Sequence, residues 1–249
     1  MCTLTWLLRD DGYFVAFSRD ERRTRAPATG PKLFERAGVK GIAPIDGEAG
    51  GTWIAVNEQG LTLALLNGYR FQGAQAQRAD ERRTWSSRGE LALQFGDAAS
   101  VAEVATRLSE FDLERYRPFE LAAFDTAGAA TLASWTGSTL ITRELHGGDR
   151  PLVSSSFDDD GARVQRRAQY AKLVSGEASE HELERFHSSH APSRGAYSPC
   201  MHREDAHTVS FTRVRVGARQ VELLYQPLSP CESMPVERVE IQRRAVARS

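Results

Sequence analysis

The sequence is poor in cysteine, with Cys2, Cys200 and Cys231 as its three thiols. An odd number of cysteines without a framework spacing argues against a disulfide scaffold and is typical of a reducing compartment, so a cytoplasmic location is expected. The sequence also lacks an excess of charge of either sign, because 32 basic residues are balanced by 33 acidic ones. This balance argues against a nucleic acid as the main partner, and no nucleic-acid partner is expected.

Long hydrophobic runs are missing as well. The apolar opening, residues 3–8, stops at the charged residues 9–11, which is too soon for a signal peptide or a membrane span. No later segment approaches the length that a membrane-spanning helix needs. The sequence therefore predicts a protein without a membrane span.

What the sequence does contain is a series of short apolar runs joined by turns with glycine, the usual signal for hairpins. These runs are residues 3–8 and 13–17, 53–57 and 61–67, 119–125, 129–136 and 138–145, and 207–216 with 219–226. Runs coupled by such short turns predict antiparallel sheets. The charged end of the chain after Pro235 is compatible with one more edge strand.

Helices are predicted in two blocks. Capping boxes at Ser87 and Ser100 start the first pair, and the second pair covers about 161–174 and 180–187. Strands and helices that alternate in blocks indicate an α+β protein, in which each helix pair covers one sheet of a two-sheet sandwich. No linker or internal repeat interrupts the pattern, so residues 1–249 are expected to form a single domain.

The first hairpin brings chemistry to the start of the chain. With Asp11-Gly12 as a two-residue turn, Cys2 lies opposite Glu21 and beside Arg19 and Asp20. A nearby arginine favours the thiolate form of a cysteine. If Met1 is removed, the α-amine of Cys2 titrates near neutral pH and serves as a general base. Cys2 is therefore a candidate N-terminal nucleophile.

The second hairpin returns Asn67 to the level of Gly50 and Gly51. A side-chain amide at the end of an apolar strand is the type of group that stabilises an oxyanion, and the two glycines let a substrate approach the backbone closely. The alternative is that Asn67 simply begins a turn. Trp53 on the same hairpin is either a core residue or part of a substrate pocket.

The longest irregular segment, residues 188–206, contains Cys200 and His202. Together with Cys231 they suggest a metal site, but their spacing fits no zinc pattern. Neither a metal nor a cofactor is therefore expected.

With these residues identified, the chain resembles the Transport and Golgi organisation 2 family, also called the NRDE family. The resemblance rests on "MCTL", on "SRDE" where the family has Asn-Arg-Asp-Glu, and on "GGTWIAVNEQGLTLALLN", "ARVQRR" and "CMHREDAHTVSFT". The stretch "GGTWIAVNEQGLTLALLN" covers the predicted second hairpin. Ser18 stands at the asparagine that opens the family's name.

The family is similar to N-terminal-nucleophile (Ntn) hydrolases such as choloylglycine hydrolase and penicillin V acylase. This resemblance implies a four-layer αββα sandwich and a catalytic set of Cys2, Arg19, Asp20 and Asn67. The relatives leave a longer gap between the arginine and the aspartate, so Asp20 and Glu21 are alternatives for the carboxylate role. The resemblance places Arg203 at a late arginine of the relatives. A second asparagine of the relatives falls at residues 154–156, which are all serine here.

Two functions follow from this resemblance. The first is an enzyme that hydrolyses or transfers the acyl group of a small non-peptide amide, with Cys2 as nucleophile. Its substrate-binding residues are expected to be Glu21, Gly50, Gly51, Trp53 and Arg203. The second is a non-catalytic protein that binds and carries haem or a lipid or acyl-coenzyme A ligand in the same pocket. The expected partner is thus a small amide, acyl or haem-like molecule.

Overall fold

The computed structural model describes residues 2–72, 84–174 and 178–244. The strands in these ranges are β1 Cys2–Arg9, β2 Gly12–Arg22, β3 Thr29–Arg36, β4 Val39–Ile45, β5 Ile54–Asn57, β6 Thr62–Asn67, β7 Phe119–Phe124, β8 Ala130–Trp135, β9 Leu140–Glu144, β10 Leu152–Ser154, β11 Ala206–Val216, β12 Gln220–Pro227 and β13 Glu237–Gln242. The α-helices are α1 Glu90–Gln94, α2 Val101–Ser109, α3 Asp159–Leu173 and α4 Glu180–His187. None of the described helices is long and apolar enough to cross a membrane.

The strands form two antiparallel sheets. The first sheet has the order β10-β1-β2-β11-β12-β13, and the second has the order β3-β4-β5-β6-β7-β8-β9. Every pairing between neighbouring strands of the described sheets is antiparallel. The predicted α+β class is confirmed.

The two sheets pack face to face, with one helix pair on each outer face. Leu4 and Trp6 of β1 point between the sheets, where they share a core with Val56 and Phe124 of the second sheet. The other face of the first sheet is covered by α3 and α4, and α1 and α2 cover the second sheet. The four-layer αββα arrangement is therefore the predicted one. Because β1 lies inside the first sheet and is covered on both faces, its side chains are almost all buried.

The first hairpin differs from the prediction by two residues. Arg9 pairs with Gly12, so the turn is Asp10-Asp11, and Cys2 pairs with Arg19 instead of Glu21. Gly12 opens β2 at φ +154°, and a Cβ there would lie 1.8 Å from the carbonyl oxygen of Val216. The glycine is thus required by the close approach of β11 and not by the turn. The register it sets pairs Arg19 directly with Cys2.

Other elements were predicted with mixed success. The hairpins β5–β6, β7–β8 and β11–β12 fall within a few residues of the expected runs, and Ser179 forms the expected capping box with Glu182. Ser87 caps nothing, because α1 begins after Gly89 without a side-chain cap. The β3–β4 hairpin was not predicted, since β3 is a largely exposed strand without a run of apolar residues.

Candidate active site

Cys2 is the first residue of β1 and has a partner strand on each side. It pairs with Arg19 of β2 and with Ser154 of β10. Residues that pair directly in an antiparallel sheet project from the same face, so these three side chains lie together on the face that meets the second sheet. The backbone N–H of Asp20 hydrogen-bonds the Cys2 sulfur.

Arg19 is held by an aromatic ring and a carboxylate. Its guanidinium lies 4.3 Å from the centre of the Trp53 ring and forms an ion pair with Asp46. Arg25 also binds Asp46, at 2.7 Å. Burial alone would raise the pKa of Asp46, but the hydrogen bonds from Arg25 and the Ala49 N–H, with the charge of Arg19, lower it to about 2. The carboxylate therefore stays ionised and fixes the arginine beside Cys2.

Asp20 and Glu21 have different surroundings. Asp20 is buried beneath the first sheet, where it accepts hydrogen bonds from Thr208 at 2.6 Å and from Arg166 of α3 at 3.0 Å. Glu21 is half-buried and lies 3.7 Å from Arg19. The charge of Asp20 also raises the pKa of the Cys2 thiol, so Asp20 is close enough to influence the sulfur.

The Cys2 thiol is 8% exposed, and burial raises its pKa. The positive charges of the N-terminus and, to a smaller extent, of Arg19 oppose this effect on the pKa without overcoming it. The sequence predicts a thiolate favoured by Arg19, whereas these surroundings favour the neutral thiol at neutral pH. A reaction at this sulfur therefore needs a base that removes the proton.

Cys2 opens onto a cavity of about 500 Å³ between the two sheets. Asn67, at the end of β6, lines the same cavity, and its Nδ2 donates a hydrogen bond to the Tyr69 hydroxyl at 2.9 Å. Because an amide nitrogen carries two hydrogens, a second donor remains for a ligand. The other lining residues are Arg19, Asp20, Glu21, Arg22, Thr24, Arg25, Asp46, Glu48, Ala49, Gly51, Thr52, Trp53, Leu65, Tyr69, Trp85, Ser86, Ser87, Arg88, Gly89 and Arg117.

The sequence model of the Transport and Golgi organisation 2 family matches residues 1–195 of the chain, including the strands that carry this site. The chain belongs to this family. No curated protein matches the sequence of this chain.

Solved structures with the same fold are Ntn hydrolases. Penicillin V acylase from Agrobacterium tumefaciens matches with a TM-score of 0.57 and 13% identity, over 97% of this chain and 86% of that one. A mutant of conjugated bile acid hydrolase from Clostridium perfringens matches with a TM-score of 0.58 and 12% identity, over 97% of this chain and 92% of that one. The Caenorhabditis elegans orthologue of N-acylethanolamine-hydrolyzing acid amidase matches with a TM-score of 0.59 and 14% identity, over 86% of this chain and 92% of that one. The Transport and Golgi organisation 2 chain therefore has an Ntn-hydrolase fold.

Two of the predicted binding residues lie away from the cavity lining of this family member. Gly50 sits in the preceding loop at φ +67°, and a Cβ there would contact nothing within 4 Å among the described residues. Arg203 binds Asp205 at 2.8 Å and lies over the Phe157 ring. The arginine that reaches the site carboxylate is Arg166, which belongs to the "ARVQRR" motif.

Two site residues were not predicted from the sequence because they come from distant segments. Asp46 and Arg88 line the cavity from loops without a recognisable pattern. Ser154, at the expected place of a second asparagine, is fully buried beside Cys2, and its hydroxyl has no hydrogen-bond partner within the described ranges. A hydroxyl without a partner next to the thiol is a donor available to a bound molecule.

Proposed function

We propose that this protein is an N-terminal-cysteine amidohydrolase, or a related acyl-transfer enzyme, that acts on a small non-peptide amide. The observation that carries the proposal is the pairing of Cys2 with Arg19 at the wall of a cavity that also contains the Asn67 amide. The Ntn-hydrolase fold supports it, since the neighbours include an acylase and hydrolases of amides.

The first step of the proposed reaction is attack of the Cys2 sulfur on the amide carbonyl carbon. Removal of Met1 frees the α-amine of Cys2, which accepts the thiol proton as the C–S bond forms. Because burial raises the pKa of the thiol, this transfer is needed at the moment of attack. The carbonyl oxygen becomes an oxyanion, and the Asn67 amide donates to it.

The intermediate then collapses. The C–N bond breaks, the α-ammonium gives its proton to the departing amine, and the acyl group remains on Cys2 as a thioester. Water attacks this thioester with the α-amine again acting as base, and the products are a carboxylic acid and the regenerated thiol. In an acyl-transfer reaction, a second nucleophile replaces the water. Arg19 and Asp20 are positioning residues in this scheme, since they act on Cys2 through charge and hydrogen bonding.

The lining indicates a polar substrate. Arg88 lies in the cavity wall, donates to the Pro118 carbonyl at 3.0 Å and pairs with no carboxylate among the described residues. Burial lowers the pKa of Arg88, but an arginine remains charged even so. A cation in a partly buried wall without an anionic partner favours an amide that carries a carboxylate or phosphate group.

The same cavity supports one alternative, a non-catalytic carrier of a haem-like or acyl ligand. The observation in its favour is the buried Cys2 thiol with its raised pKa, which is a poor resting state for a nucleophile. Anionic groups on such ligands would also suit Arg88. In that case Cys2 contacts the ligand without forming a covalent intermediate.

The test is hydrolysis of a panel of N-acyl amides with and without an acidic group, combined with intact mass measurements. We expect mature protein that begins at Cys2, a thioester adduct after acid quenching, and no turnover by Cys2→Ala. Asn67→Ala should lower kcat by about 10²-fold, which is typical of one oxyanion donor. A chain with glutamate inserted between Met1 and Cys2 keeps the thiol but blocks the α-amine, and it should be folded and inactive.

Thermal unfolding and circular dichroism of each variant provide the folding control. The hydrolase proposal is wrong if Met1 is retained in the mature protein, or if the Cys2→Ala protein hydrolyses the panel as fast as the wild type. Ligand binding without turnover, unchanged in Cys2→Ala, would support the carrier instead.

A further inference from the structure

A second group of reactive side chains lies outside the cavity lining. One ligand atom from each of His190, Cys200, His202 and Cys231 comes within 4.8 Å of every other. The Nε2 atom of His202 is 3.4 Å from the sulfur of Cys200 and 3.4 Å from the sulfur of Cys231. Three of the four residues lie beyond the part of the chain that the family model matches. The sequence suggested a metal at Cys200, His202 and Cys231, but no metal was expected because their spacing fits no zinc pattern, and His190 was not placed with them.

The two distances from His202 to the cysteine sulfurs are those of a tetrahedral zinc site. Zinc–sulfur bonds of about 2.3 Å and zinc–nitrogen bonds of about 2.0 Å at the tetrahedral angle place sulfur and nitrogen about 3.5 Å apart. Both distances from His202 to the two sulfurs agree with this value. Two thiolates and two imidazoles are also one of the commonest ligand sets of structural zinc.

The donors point toward one another. Cys200 is fully buried, and the Nε2 atom of His190 is buried without a hydrogen-bond partner in the part of the chain that the structure describes. The His190 and His202 rings are 5.1 Å apart at an angle of 64°. A buried imidazole nitrogen without a partner needs an explanation, and a metal ion supplies one.

The cluster joins irregular segments. His190 follows α4, Cys200 and His202 lie in the long loop before β11, and Cys231 follows β12. The Cys200 N–H binds the Ser189 carbonyl at 3.0 Å, which closes the loop around the cluster. A metal ion that joins such segments adds its binding free energy to the stability of the folded chain.

We propose that the Sγ atoms of Cys200 and Cys231 and the Nε2 atoms of His190 and His202 bind one structural Zn²⁺ ion. With four protein ligands the coordination is complete, so no position is left for a substrate. Two thiolates neutralise the charge of the ion. Two thiolates and two imidazoles also hold Rieske [2Fe–2S] clusters, but there the cysteines and the histidines bind different iron atoms. The Nε2 atom of His202 is 3.4 Å from both sulfurs, which fits a single ion. The two histidines would have no role beside a simple Cys200–Cys231 disulfide.

Hydrogen bonds connect the proposed zinc site to the candidate active site, starting from the residue between Cys200 and His202. Met201 lies between two of the ligands, and its N–H donates to the Thr208 hydroxyl at 2.8 Å. That hydroxyl donates in turn to Asp20 at 2.6 Å. The zinc would therefore hold the loop that orients a carboxylate next to Cys2, and it takes no part in the chemistry.

The test is the metal content of tag-free protein purified under reducing conditions. We expect about one zinc per chain by mass spectrometry of the metal. Replacement by Co²⁺ should give the thiolate-to-cobalt charge-transfer absorption and the intense visible bands of tetrahedral coordination. Removal of zinc with a chelator should lower the Tm, and added zinc should restore it.

Cys231→Ser and His190→Ala should lose the metal and the cobalt bands. Cys231 is exposed, so its substitution leaves the core intact. The matched controls are Cys2→Ala and His181→Gln, a thiol and an exposed imidazole outside the cluster, and both should keep one zinc. Zinc-free wild type that takes up no cobalt, or a Cys200–Cys231 disulfide, would overturn the proposal. Cys2→Ala should keep zinc but lose turnover, so failure of the hydrolase proposal can be distinguished from failure of the zinc proposal.

Discussion

His187 offers a sharp test of how α4 is fixed to the first sheet. The imidazole is fully buried, with Nε2 2.9 Å from the Thr5 hydroxyl and Nδ1 2.7 Å from the Ser18 hydroxyl. The ring also packs on Phe211 at 5.0 Å between centres. Ser18 stands at the family's asparagine, and its side chain points to this helix layer and not to the cavity. Its role here is to hold α4.

Burial, with a smaller contribution from the charge of Arg166, lowers the pKa of His187 to about 3. In the unfolded chain a histidine has a pKa of about 6.5. Between these values the unfolded chain binds a proton that the folded protein does not. The stability from the neutral ring is fully present above pH 6.5 and is lost as the pH falls toward 3. From pH 7 to pH 5 the loss is about 2 kcal/mol.

The experiment is urea unfolding of the wild type, His187→Gln and the control His181→Gln at pH 7 and pH 5. His187→Gln should be less stable at pH 7, and its deficit relative to the wild type should shrink by about 2 kcal/mol at pH 5. His181 is exposed on the same helix, so its variant should follow the wild type at both pH values. A deficit that stays constant or grows on acidification would refute the burial of a neutral ring.

Two further predictions concern the arginine beside Cys2. Asp46→Asn should lower the free energy of unfolding at pH 7 by roughly 2 kcal/mol, because the pKa of Asp46 is about 2. This deficit should fade as the pH falls from 4 toward 2, while Glu48→Gln, an exposed partner of Arg25, should have little effect in the same unfolding measurements. Arg19→Lys keeps the charge but loses the stacking on Trp53, so kcat/KM should fall about tenfold in steady-state assays. The control Arg9→Lys, at the far end of β1, should not change it, and equal effects of both variants would contradict the positioning role of Arg19.

The sequence predicted the fold well where the hairpin signals are local. The β5–β6 and β7–β8 hairpins have apolar strands on both sides of a glycine turn, and the structure has both. The first hairpin was shifted because Asp11-Gly12 has the composition of a turn. Gly12 is required instead by the Val216 carbonyl, a contact between residues far apart in sequence. Local composition carries no information about such a contact.

The candidate site was also predicted only where its residues are close together in the sequence. Cys2 and Arg19 belong to one hairpin, and even a register error of two residues left them neighbours. Asp46 and Arg88 reach the site through tertiary packing, so no spacing in the sequence predicted them, whereas the position of Ser154 was located through the family resemblance. Three of the four proposed metal ligands were considered together in the sequence, but their spacing did not predict a site, because Cys231 approaches His190 and His202 through the β11–β12 hairpin.

The family motifs meet at a single buried carboxylate. Asp20 from "SRDE" binds Arg166 from "ARVQRR" and Thr208 from "CMHREDAHTVSFT", and both Asp20 and Arg166 have side chains that are 0% exposed. Removing one partner of a buried ion pair leaves an uncompensated charge, which costs about 3–5 kcal/mol. An inactive Asp20 variant would therefore be ambiguous, because lost stability and lost chemistry look the same in an activity assay. By binding both Arg166 and Thr208, Asp20 joins the three motifs in the folded protein without taking any catalytic step. It follows that substitutions at Cys2 and Asn67, which line the cavity, are the clearer tests of the proposed reaction.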